Sequence, residues 1–124
     1  MLEAVLDTNF LMLAYQFKVN VFSELSELLG NHRRVTCTGV IEELEKLGSR
    51  RGRDSAAARY ALKLLKLGRV EVKRNAKGVD EWILDYCGRR GAVACTVDRE
   101  LMGKLKKEGV KVIILRGKSR LQFA

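Results

Sequence analysis

Residues 4–9 read Ala4-Val5-Leu6-Asp7-Thr8-Asn9. Three apolar side chains run straight into three polar ones, and an apolar stretch with helical spacing begins at Phe10. A short apolar run without alternation marks a strand covered on both faces, as in a parallel sheet between helix layers. Asp7 therefore stands at a strand tip, where the chain turns into a helix. A carboxylate there has two uses: it caps the helix, or it belongs to a metal site.

The same pattern recurs along the chain. Residues 34–37, 70–73, 93–96 and 112–115 read as further strands. Helical spacing covers residues 10–29, interrupted near Lys18-Val19-Asn20, then 40–47, 55–67, 79–87 and 98–107. Gly48 and Gly68 are read as helix stops. Short apolar strands alternating with helices indicate an α/β fold, a parallel sheet flanked by helices. No repeat or linker divides residues 1–124, so one domain is expected, with residues 116–124 as a loose basic tail.

Composition narrows the class. A chain of 124 residues, 47% hydrophobic, can bury a core without staples. No apolar run approaches the ~20 residues that cross a bilayer, and the start, Met1-Leu2-Glu3, carries no signal-peptide pattern. Cys37, Cys87 and Cys95 form no CxxC pair and sit among apolar neighbours. They read as small reduced core residues of a cytoplasmic protein. Lysine and arginine number 24 against 15 acids, a net charge of +9. Such a surface attracts polyanions, of which nucleic acid is the commonest inside cells.

Several chemistries are absent. No GxGxxG follows the first strand, and there is no GxSxG or HExxH. Gly117-Lys118-Ser119 lacks the preceding glycine and following helix of a phosphate loop. The single histidine, His32, falls in a polar turn, where it is expected to be solvated and no catalytic base.

The acids are more telling. In open α/β sheets, ligands bind beyond the carboxyl ends of the strands. Asp7 and Asp98 follow strands there. At ~100° per residue, Glu43 lies three after Val40 and four before Leu47, bordering the apolar face, whereas Glu42 points away. Asp80 borders the face of Ile83 and Cys87, and Asp98 that of Leu101 and Met102. Each acid alone is explained by capping or the helix dipole. Four together repel unless a cation neutralises them. An all-carboxylate set suits Mg²⁺ or Mn²⁺, not Zn²⁺.

Val5-Leu6-Asp7-Thr8-Asn9, Glu43-Leu44-Glu45-Lys46-Leu47-Gly48, Val79-Asp80-Glu81 and Thr96-Val97-Asp98-Arg99-Glu100 resemble, in order and spacing, the PIN-domain nucleases. With Gln16-Phe17-Lys18-Val19-Asn20, they look like the archaeal branch related to small-subunit ribosomal RNA processing endonucleases. The resemblance implies a central five-stranded parallel sheet with helices on both faces, Mg²⁺ or Mn²⁺, and cleavage of single-stranded RNA. It makes Asp7, Glu43, Asp80 and Asp98 the catalytic metal ligands, with Glu81 the alternative to Asp80 by a one-residue shift. Asn9 and Thr96 become polar support for the site. Arg50, Arg51 and Arg53 are the first candidates for an RNA-binding rim, with Arg89, Arg90, Lys118 and Arg120 behind them.

The leading expectation is a metal-dependent endoribonuclease acting in ribosomal RNA processing. Its rivals are a ribonuclease toxin of a toxin–antitoxin pair and a non-catalytic RNA-binding domain. A phosphorylation receiver fits poorly, because Arg116-Gly117-Lys118 is a weak match for its lysine. A homodimer, a pre-ribosomal partner and an antitoxin are the protein partners left open; no membrane partner is expected.

Overall fold

The computed structural model describes residues 1–117 and 119–124. The elements run β1 (Leu2–Leu6), α1 (Thr8–Gln16), α2 (Val21–Leu29), β2 (His32–Cys37), α3 (Thr38–Ser49), α4 (Ser55–Leu67), β3 (Glu71–Lys73), α5 (Val79–Arg90), β4 (Val93–Cys95), α6 (Arg99–Lys107), β5 (Val112–Arg116) and β6 (Arg120–Phe123). One sheet orders its strands β3-β2-β1-β4-β5-β6. The first five are parallel, as expected, and β1 lies inside, between β2 and β4.

Alternation along β1 builds both layers. Ala4 and Leu6 face a core filled by Phe10, Leu11, Leu25, Leu44 and Ala58, beneath α1 to α4. Val5 faces the other way, onto Ile83, Leu101 and Leu105 of α5 and α6. Successive side chains of a strand point to opposite faces, so a strand apolar throughout requires helices on both sides. Burying a side chain such as Leu6 or Phe10 contributes roughly 1.5–3 kcal/mol. All three cysteines are free and buried in these cores, and burial pushes the Cys87 thiol up to about 12.

Local chemistry sets the breaks. The expected interruption after α1 is there: Lys18 adopts a positive φ of 52°, Val19 N–H turns back to Ala14 O, and Asn20 caps α2 by accepting from Ser23 N–H. Gly48 does not stop its helix; α3 continues through Ser49, with Arg50 as its C-cap. Gly91, at φ 67°, ends α5 in the left-handed conformation that glycine adopts at no steric cost.

Further expectations need correction. The described residues of the expected tail are not loose: Arg120–Phe123 forms β6, antiparallel to β5, with Leu115 opposite Leu121 and Ala124 N–H donating to Val112 O. Leu121 is buried, and Glu24 of α2 accepts its N–H. The sheet thus has six strands, the last of opposite sense. Lys118, expected in the basic surface, lies outside the described residues. His32 is half-buried, not solvated; Nδ1 lies 2.9 Å from Gly30 O and Nε2 accepts from Arg34 Nε.

Candidate active site

The strand order reverses at β1, whose neighbours β2 and β4 are reached by separate crossovers. The crevice beyond the carboxyl ends of such strands is where α/β sheets place ligands. Asp7 stands there. It is 7% exposed, and both carboxylate oxygens are held: Oδ1 accepts from Thr8 N–H at 2.8 Å, and Oδ2 from the Thr96 hydroxyl at 2.8 Å. Asp7 is thus the N-cap of α1, so the capping use is realised. Thr96, fully buried at the end of β4, also accepts from Asp98 N–H at 3.1 Å. Asp98 in turn caps α6, its Oδ1 accepting from Glu100 and Leu101 N–H groups.

Electrostatics join the four acids. Burial pushes Asp7 up, against the bonds from Thr96 and Thr8, and the charges of Asp80 and Asp98 push it further. Glu43 is raised by desolvation, then by Asp7 and Asp80, with the Thr8 hydroxyl easing it. Asp80 is raised by desolvation and by Asp98, with Lys104 opposing. Each of the four therefore interacts through its charge with at least one of the others. Glu43 and Asp80 nonetheless keep exposed side chains, Asp98 is half-buried and only Asp7 is buried. As placed, no three His, Cys, Asp or Glu groups among the described residues are close enough to hold a metal ion.

Do these residues fit a divalent ion? The donor set is all oxygen, as Mg²⁺ and Mn²⁺ prefer. Thr8 Oγ1 is buried with no partner in hydrogen-bonding geometry, although its hydroxyl faces Glu43. An orphaned buried oxygen beside mutually repelling carboxylates is relieved by a cation, so the residues fit the group.

The remaining candidates separate. Asp80 faces the acids, whereas Glu81 lines a shallow depression with Asp85 and Arg89. Thr96 is at the centre, while Asn9 is exposed. Arg50, Arg51 and Arg53 are exposed. Arg53 lines a cavity of about 1000 Å³ with Tyr15, Lys18 and Tyr60, at the far end of α1 from Asp7. Nine residues of helix put that end roughly 13 Å away. Arg89 and Arg90 are committed to ion pairs with Asp85 and Glu3.

Three contributors escaped the sequence reading. Thr8, whose backbone N–H donates to Asp7 and whose buried hydroxyl faces Glu43, is one of them. Lys104 is the cation that acts on Asp80, and its only signal was its place on the helix after Asp98. Asn75, after β3, accepts from the Thr38 hydroxyl and Gly39 N–H, both at 2.8 Å. Its position at a strand's carboxyl end was the available clue.

A family profile described as "PIN like domain" matches residues 4–118. The chain belongs to the PIN-like domain family. Ribonuclease VapC9 of Archaeoglobus fulgidus is 38% identical to this PIN-like domain over 119 residues, 95% of this chain and 86% of the relative. Ribonuclease VapC4 of Methanocaldococcus jannaschii is 32% identical over 128 residues, 99% of this chain and 97% of the relative. Among solved structures, the PIN domain endonuclease Utp24 superimposes with a TM-score of 0.81 at 23% identity, covering 98% of this chain and 90% of its own. A domain of a functionally unknown protein from Methanocaldococcus jannaschii gives 0.66 at 13%, covering 94% and 93%. These two likenesses speak for the fold. No helix among the described residues is long and apolar enough to cross a membrane.

Proposed function

We propose that this PIN-like domain is a divalent-metal-dependent endoribonuclease, with Asp7, Glu43, Asp80 and Asp98 holding Mg²⁺ or Mn²⁺. The observation that carries the reading is Asp7: a buried carboxylate at the tip of an internal strand, pushed up by burial and by Asp80 and Asp98. Full-length relatives named as ribonucleases support the substrate class.

When bound, a divalent ion supplies Lewis acidity at a phosphoryl oxygen and a water of lowered pKa. The chain's own residues prepare for this. Thr96 fixes Asp7 Oδ2 and, through Asp98 N–H, ties the starts of α1 and α6 together. Glu43 and Asp80 complete the acidic wall from α3 and α5. Neutralising that wall removes its repulsion of RNA phosphate. Lys104 supplies a positive charge beside Asp80, and the net charge of +9 draws RNA to the surface.

Two settings follow from the sequence reading. Ribosomal RNA processing rests on the archaeal-branch resemblance. The toxin of a toxin–antitoxin pair, with an antitoxin partner, is the setting supported by full-length relatives both named ribonuclease VapC. Growth arrest on expression, reversed by the product of an adjacent gene, distinguishes the second.

The activity is tested with purified chain and single-stranded RNA in Mn²⁺, Mg²⁺ or EDTA. Asp7→Asn and Asp98→Asn are expected to abolish cleavage and leave RNA binding intact or tighter, because an amide keeps the size but loses the charge. Glu42→Gln, exposed on α3, should cost little. Wild-type protein that binds RNA but cleaves none with any divalent ion makes this a binding module.

A further inference from the structure

Glu43 and Asp80 approach the acid cluster from different helices, and no backbone ladder joins those helices. One amide bridges their starts. Asn75 Oδ1 accepts from Thr38 Oγ1 and Gly39 N–H, both at 2.8 Å, and its Nδ2 donates to Lys77 O at 2.7 Å. Gly39 N–H can only donate and a carbonyl can only accept, so the amide's orientation is fixed by its partners. Asn75 thereby clasps the first turn of α3 to the loop that leads into α5.

The clasp lies on the functional side of both helices. Gly39 and Glu43 are four residues apart on α3 and share a face, with Cβ positions ~5–6 Å apart. Across from Gly39 stands Val79, the residue before Asp80. A Cβ on Gly39 would meet Val79 Cγ2 at 2.7 Å and the Asn75 amide at 3.0–3.2 Å. Real Cβ atoms do not approach that closely, so the absence of a side chain at Gly39 allows α3 and α5 this spacing.

We propose that Asn75 is a positioning residue that fixes the separation of Glu43 and Asp80, and through it the affinity of the acid cluster for a divalent cation. The inference rests on the metal-dependent reading above. Asn75 is half-buried, and its hydrogen-bond partners are Thr38, Gly39 and Lys77, none of them an acid; it acts through the two helix starts. Outer partners that orient metal ligands typically matter by 10–100-fold in metal affinity.

The test is calorimetric titration of the whole chain with Mn²⁺, alongside RNA cleavage across Mn²⁺ concentration. Asn75→Ala should weaken Mn²⁺ binding by ~10–100-fold. The Mn²⁺ needed for half-maximal cleavage should rise as much, while the rate at saturating Mn²⁺ and RNA binding in EDTA stay near wild type. Gly39→Ala should act in the same direction. Both work through one contact, so the double variant should lose little more than the worse single variant. Should Asn75→Ala fail to fold, Thr38→Val removes only one of the clasp's donors and should give a smaller loss of the same sign. Wild type that binds Mn²⁺, with Asn75→Ala (or, in its place, Thr38→Val) binding as tightly, overturns the clasp alone. So do losses that multiply in the double variant. Wild type that neither binds Mn²⁺ nor cleaves RNA overturns the ribonuclease reading, and the clasp with it.

Discussion

Replacing Thr96 with valine keeps the shape of a fully buried side chain and deletes its hydroxyl. Two hydrogen bonds go with it. The one to Asp7 Oδ2, at 2.8 Å, ends on a carboxylate that is 7% exposed, and bonds to charged groups contribute ~1.5–3 kcal/mol. The one from Asp98 N–H, at 3.1 Å, adds ~0.5–1.5 kcal/mol. The expected cost is therefore about 2–4 kcal/mol. With ~2.1 cal/mol/K of unfolding entropy per residue, 124 residues turn this into a fall in melting temperature of roughly 8–15 °C. The bond favours ionised Asp7, so the deficit should be greatest at neutral pH and shrink as acid protonates the carboxyl. Thermal melts in EDTA at pH 4.5 and 7.5 measure both. A shift under about 2 °C at neutral pH, or one that does not shrink in acid, refutes the view that Thr96 exists to hold a charged Asp7.

Other outcomes follow from the same geometry. Desolvation, complete for none but strongest at Asp7, and the charges of neighbouring acids raise Asp7, Glu43 and Asp80 above their usual 3.8, 4.5 and 3.8. The stability they contribute is full in acid and lost as pH rises through the raised values, so Mn²⁺ should raise the melting temperature most near neutrality, and Asp80→Asn should flatten the fall seen in EDTA. Glu3 is the opposite case: burial raises it, but bonds from Arg90 and Tyr86 win and leave it below 4.5, so its contribution is lost as pH falls. Glu3→Ala strands the buried Tyr86 hydroxyl and should cost about 1–3 kcal/mol in urea unfolding. It should spare Mn²⁺ affinity, because four strand residues put Glu3 roughly 13 Å from Asp7. Replacing Arg50, Arg51 and Arg53 with alanine should flatten the log–log salt dependence of RNA binding by up to about 2, at ~0.7 per phosphate; an unchanged slope puts the RNA elsewhere.

Much of this was legible in one dimension because the informative signals are local. An unbroken Ala4-Val5-Leu6 demands cover on both faces, and the polar step at Asp7 marks where the strand stops. The Lys18-Val19-Asn20 break was legible because Asn20 is a capping residue type. What escaped depends on partners distant in sequence. Arg120-Leu121-Gln122-Phe123 alternates too briefly to be read as a strand before β5 is there to pair with it. A helical wheel shows that Glu43 and Asp80 border apolar faces. How near the next element comes is a tertiary fact, which is why both turn out exposed. Asn75 belongs to no period at all, and its meaning lies 36 residues away, in Gly39.

Asp7 carries two obligations at once: it starts α1, and it stands in the acidic crevice. A descendant of this chain that abandoned catalysis would still be selected to keep an aspartate there, because losing it uncaps a helix and strands Thr96. Asp98, capping α6, is under the same double constraint. Asp80 is different, for it is exposed and does not cap its helix, whose N-cap is Gly78. What the architecture gives it is small: a place in the first turn of α5, where an acid gains ~0.3–1 kcal/mol from the helix dipole, and the charge of Lys104. Among relatives of this protein, then, the acid opening α5 is the one whose drift should reveal lineages where the chemistry has lapsed, well before the strand-tip aspartate changes.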